Sequence, residues 1–128
     1  MELLGNFPQK TFMEARGVCD APYIEKGGHA LAARDAATGG GVMACALGRM
    51  RNAAALAEEL GLMREERSLA RIVLAAYARW GEDYVERVEG PVLTAVLDRD
   101  ADTLILCRDR VGERRVFYTA ADGCVAFA

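Results

Sequence analysis

The C-terminal half of the chain decides the fold, through YARWGEDYVERVEG at residues 77–90, LTAVLD at 93–98 and TLILCRDRVGERRVFY at 103–118. The first stretch ends an amphipathic pattern that starts at Ser68, because apolar residues recur three and four positions apart as far as Trp80. The other two stretches contain apolar runs separated by the polar turn 98–102, a pattern typical of a β-hairpin. A helix followed by a hairpin predicts mixed α and β structure.

Upstream of this region, short apolar runs at 3–7, 30–34 and 42–47 predict three further strands. Residues 10–28 are predicted to be a loop, because proline and a glycine pair interrupt them, and the TGGG segment 38–41 is predicted to be a turn.

The remaining elements are two short helices and a second hairpin. Asn52 is predicted to cap the first helix with its side chain, and Gly61 to end it. The pattern predicts a short third helix over 82–88 and a second hairpin from strands 116–119 and 124–127. The fold class is therefore α+β, a sheet-and-helix sandwich with a largely antiparallel sheet.

Length, composition and charge exclude several classes of function. The chain has 128 residues, 52% of them hydrophobic, which is enough for a single domain over residues 1–128. A net charge of −3 with dispersed signs offers no surface for nucleic acid or an anionic membrane. The longest uncharged stretch, 36–48, is too short to span a bilayer. Without an export signal, the chain is expected in the cytoplasm with its four cysteines reduced.

No metal or cofactor is expected. The cysteines form no CxxC pair, and His29 is the single histidine of the chain. Cys45 and Cys107 alternate with apolar neighbours and are predicted to be core thiols. The glycine run 39–41 lacks the Lys-Ser/Thr and helix of a phosphate loop.

The C-terminal half resembles the glutaminase domain of the asparagine-synthetase family, the class II glutamine amidotransferases with an N-terminal nucleophile. Arg108, Asp109 and Gly112 match the family's Arg-Asp-x-x-Gly motif, and Tyr118 matches a tyrosine that follows it. The resemblance implies a structural role for these four residues. It also implies an Ntn-hydrolase-like α/β sandwich with largely antiparallel sheets, truncated in this chain.

The resemblance further implies that three catalytic functions are missing. The family's nucleophile is an N-terminal cysteine whose free α-amine acts as the base, and Met1 occupies that position. Leu47 occupies the position of an asparagine that completes the oxyanion hole. Leu69 occupies the position of the aspartate that holds the substrate's ammonium group. No catalytic residue is therefore expected here.

Three other residues are matched to the family's substrate pocket. Gly48 and Asn52 correspond to the glycine and the final asparagine of its Asn-Gly-Glu-Ile-Tyr-Asn segment. Arg34 corresponds to the arginine that clamps the substrate carboxylate. The three are predicted to form a remnant of the pocket.

These matches predict a catalytically degenerate domain with a structural or partner-binding role. The partner is an ATP-dependent synthetase domain, C-terminal or separate, and the chain is then an excised part of a longer protein. One alternative is an active glutaminase with a processed nucleophile, in which cleavage after Val18 exposes Cys19. Another is a stand-alone scaffold or homo-oligomeric module, because an exposed sheet edge favours pairing.

Overall fold

The computed structural model describes residues 2–8, 23–26, 29–32, 35–101, 103–109, 115–121 and 124–127, with side chains described at 35–101, 103–109 and 115–117. The strands in this part of the chain are β1 Glu2–Pro8, β2 Tyr23–Lys26, β3 His29–Ala32, β4 Ala36–Gly39, β5 Val42–Gly48, β6 Val92–Asp98, β7 Thr103–Arg108, β8 Tyr118–Ala121 and β9 Cys124–Phe127. The helices are α1 Ala53–Glu59, α2 Leu69–Trp80 and two 3₁₀ helices, Arg64–Glu66 and Gly81–Glu86.

Five strands form one antiparallel sheet in the order β1-β7-β6-β5-β4. β2 pairs with β3 and β8 with β9, also antiparallel. Helix α2 packs against β4, β5 and β6 on one face of the large sheet. The prediction of an α+β fold with a largely antiparallel sheet is confirmed, as are the strands predicted at 3–7 and 42–47 and the hairpin across 98–102.

The central strands β5, β6 and β7 are buried on both faces of the sheet. Successive side chains of a strand point to opposite faces, so the buried residues divide into two clusters. The cluster on the helix side includes Ala44, Ala46, Val96, Ile105 and Cys107. The cluster on the opposite face contains Met43, Cys45, Ala95, Leu97, Leu104 and Leu106. Cys45 and Cys107 are thus core thiols, as predicted, and they lie on different faces.

The ends of α2 follow the sequence signals. The Ser68 side chain accepts a hydrogen bond from the Arg71 amide at 3.2 Å, which satisfies one of the free amides of the first turn. Gly81 ends the helix with a φ of 58°. α1 stops before Gly61, whose φ of 70° is the left-handed conformation predicted for a helix end.

Two predicted loop segments contain strands. β2 lies within the predicted loop 10–28, because its four residues pair with β3 in a register that joins Lys26 to His29. The sequence predicts a turn at Thr38 and Gly39, but they pair with Met43 and Val42 as part of β4. The turn itself is confined to residues 40–41, where Gly40 adopts a φ of 59°. In β4, cross-strand pairing outweighs the local preference of glycine for turns.

Two element boundaries also differ from the prediction. The short third helix, predicted over 82–88, is a 3₁₀ helix over Gly81–Glu86, and it buries Tyr84 and Val85. A short piece of helix directly after the end of an α-helix commonly takes this tighter form. β8 begins at Tyr118 rather than at Val116. Val116 packs against the cluster opposite the helices, and Phe117 is exposed.

Tyr84 and Thr94 share a hydrogen bond that can be tested by mutation. Their hydroxyl oxygens lie 2.8 Å apart, and both residues are fully buried between α2, the 3₁₀ helix and β6. Tyr84→Phe leaves the Thr94 hydroxyl buried without this partner, which costs about 1–3 kcal/mol. Urea unfolding is expected to show that loss for the single variant. Tyr84→Phe combined with Thr94→Val should recover most of it, and a double variant less stable than the single one would contradict the assignment.

Candidate functional site

One end of the five-stranded sheet contains Leu47 and Arg108, two positions that the family resemblance singles out. A row of register partners crosses four strands there: Leu3, Cys107, Thr94 and Ala46. Glu2, Arg108 and Leu47 lie one residue further toward the same end, because β1 begins there while β5 and β7 end there. The start of β1 therefore lies at the same end of the sheet as the last residues of β5.

Leu47 is an exposed apolar side chain at this end. Its exposed fraction is 54%, although the four preceding residues of β5 are buried. By the alternation of the strand, Leu47 shares the face of Met43 and Cys45, which is opposite the helices. Gly48 follows as the last residue of β5, and its φ of 119° turns the chain out of the sheet.

Asp35 holds the start of α2 against this end of the sheet. Its carboxylate accepts a hydrogen bond from the Ala70 amide at 3.2 Å, and its backbone carbonyl accepts one from the Ala46 amide at 3.2 Å. Leu69, the first residue of α2, packs against the cluster on the helix side of the sheet. The structure thus brings Leu47 and Leu69 to the same end of the fold. The sequence pattern missed Asp35, since its partner lies 35 residues away.

Asn52 joins the segment after β5 to the segment before β6. Its Nδ2 donates to the Arg87 carbonyl at 2.7 Å, and its Oδ1 accepts from the Glu89 amide at 3.0 Å. Two backbone bonds run alongside, from the Arg49 amide to the Pro91 carbonyl at 3.0 Å and from the Arg51 amide to the Glu89 carbonyl at 2.7 Å. These four bonds continue the β5–β6 pairing beyond the regular strands.

The predicted helix-capping bond of Asn52 is wrong. Asn52 does occupy the N-cap position of α1, but its side chain makes no hydrogen bond to the first turn. The amide group is already used by the 87–89 segment. This cross-connection also requires Gly90, because its φ is 114° and a β-carbon there would lie 2.5 Å from the Arg49 carbonyl oxygen.

A family model for a glutamine amidotransferase domain matches residues 25–128, which include Leu47, Gly48, Asn52 and Leu69. The chain belongs to the glutamine amidotransferase domain family. The asparagine-synthetase resemblance is consistent with this assignment. No curated protein sequence matches the chain significantly.

The described residues of this amidotransferase domain include part of the Arg-Asp-x-x-Gly motif and the tyrosine that follows it. Arg108 is the half-buried last residue of β7, and Asp109 is buried directly after it. Tyr118 begins β8 and pairs with Phe127. Gly112 lies outside the described residues, as do Met1 and Arg34, whose assignments to the nucleophile position and the carboxylate clamp stay predictions.

Within the described residues, no group of three or more His, Cys, Asp or Glu side chains is arranged to hold a metal ion. None of the helices described is both long and apolar enough to cross a membrane.

Two tyrosines on the helix side have shifted pKa values. Burial raises the pKa of Tyr77 to about 12, and the hydrogen bond from its hydroxyl to Asp98 Oδ2, 2.8 Å long, adds to the shift. Burial also raises the pKa of Tyr84, although its hydrogen bond with Thr94 opposes the effect. The rings of Tyr77 and Tyr84 meet edge to face, with centroids 6.2 Å apart. Protonated Tyr77 therefore links α2 to the end of β6.

The connection made by Asn52 is separable from helix capping. Asn52→Ser keeps a good capping residue but cannot bond both Arg87 and Glu89, so we expect it to lower the free energy of unfolding by about 1–2 kcal/mol, and Asn52→Ala by a similar amount. Ser68→Thr is the matched control, because Ser68 does cap its helix and threonine can replace it. Denaturant unfolding measures both. Wild-type stability of Asn52→Ser would show that the two long-range bonds contribute little.

The Tyr77 hydrogen bond predicts a dependence of stability on alkaline pH. The neutral phenol is favoured in the folded state, so its contribution is complete below pH 10.0, the ordinary pKa, and is lost as the pH rises to about 12. Unfolding free energies of wild type and Tyr77→Phe should therefore converge over this range, with wild type more stable at neutral pH. A constant difference between the two proteins across the range would refute the shifted pKa.

Proposed function

We propose that this chain is a catalytically degenerate glutamine amidotransferase domain. Its role is structural or partner-binding, within an asparagine-synthetase-type protein that forms amides with ATP. The observation that carries the proposal is Leu47, an exposed leucine at the end of β5, directly before Gly48. The family resemblance requires an asparagine donor at this position.

The chemistry of acyl transfer explains why this position matters. Hydrolysis of a glutamine amide passes through a tetrahedral oxyanion, which hydrogen-bond donors must stabilise in place. The hydrocarbon side chain of Leu47 cannot donate, and loss of one such donor typically lowers the rate by about 10²–10³. A single lost donor leaves measurable turnover, so a second loss is needed for a fully inactive site.

Leu69 supplies that second loss in the proposed alignment. A leucine cannot pair with the ammonium group of a glutamine substrate, and here its side chain packs into the helix-side core. Arg71, two residues later, carries a positive charge where the resemblance has a glutamate, and it forms an ion pair with Glu66 at 3.3 Å. The start of α2 is therefore unsuited to attract a cationic group.

The architecture around these positions supports a role as a folded partner domain. Asp35 and Asn52 hold the end of the sheet through long-range hydrogen bonds, and both faces of the central strands are packed. These interactions stabilise the fold without requiring a working site. The synthetase partner and the Ntn-type arrangement of the fold follow from the resemblance and belong to this proposal.

Glutamine hydrolysis by the purified chain tests the proposal. We expect no ammonia release from glutamine above the rate of a buffer blank, and an intact mass that includes Met1. An active class II glutaminase assayed in parallel confirms that the assay detects turnover.

Ammonia release would overturn the proposal, and a further variant identifies its source. Turnover by a species that begins at Cys19, abolished by Cys19→Ala, would establish a processed N-terminal nucleophile. Turnover that survives Cys19→Ala would show that the family alignment at Leu47 and Leu69 misplaces the site.

A further inference from the structure

We draw no further inference here: the strongest candidate, the apolar groove between β4 and α2 that lies beside the edge of the five-stranded sheet, carries none, because Arg71 in its lining is already ion-paired with Glu66 and nothing in the part of the chain that the structure describes shows what covers it.

Discussion

The need to cover both faces of β5, β6 and β7 is the constraint on which the rest of the structure depends. Each of these strands carries apolar residues in consecutive positions, so a single layer of helices can satisfy only half of them. Helix α2 and the 3₁₀ helix Gly81–Glu86 cover one face. The opposite face is also buried, with Ala36 and Val116 packed at its margin. A two-sided core of this kind explains why the strands show apolar runs instead of strict alternation.

Long-range polar contacts then fix the helical layer relative to the sheet. Asp35 attaches the start of α2 to the end of β5, and Tyr77 attaches its last turns to Asp98 at the end of β6. Asn52 attaches the segment after β5 to the segment that leads into β6. The contacts of Asp35 and Tyr77 thus anchor helix α2 near both of its ends. The positions that the resemblance assigns to catalysis lie beside the contacts of Asp35 and Asn52.

This arrangement separates folding from chemistry in the domain. The side chains that hold the sheet end together are present and bonded, while Leu47 and Leu69 carry no group suited to an oxyanion or an ammonium ion. Our proposal of a degenerate partner domain rests on this separation of the frame from the positions that the resemblance assigns to catalysis.

The sequence by itself determined the elements whose signals are local. Ser68 and Gly81 bound α2, the polar turn after Asp98 joins β6 to β7, and the Arg108-Asp109 motif identified the family. The hydrogen-bond partners of Asn52 were decided by the tertiary structure. An asparagine side chain can bond either to the first turn of a helix or to a distant segment, and only the folded chain determines which backbone groups come near. The same is true of Thr38 and Gly39, whose turn preference gave way to pairing with β5. Local sequence specifies what a side chain can bond to, and the folded chain selects which of those partners lies within reach.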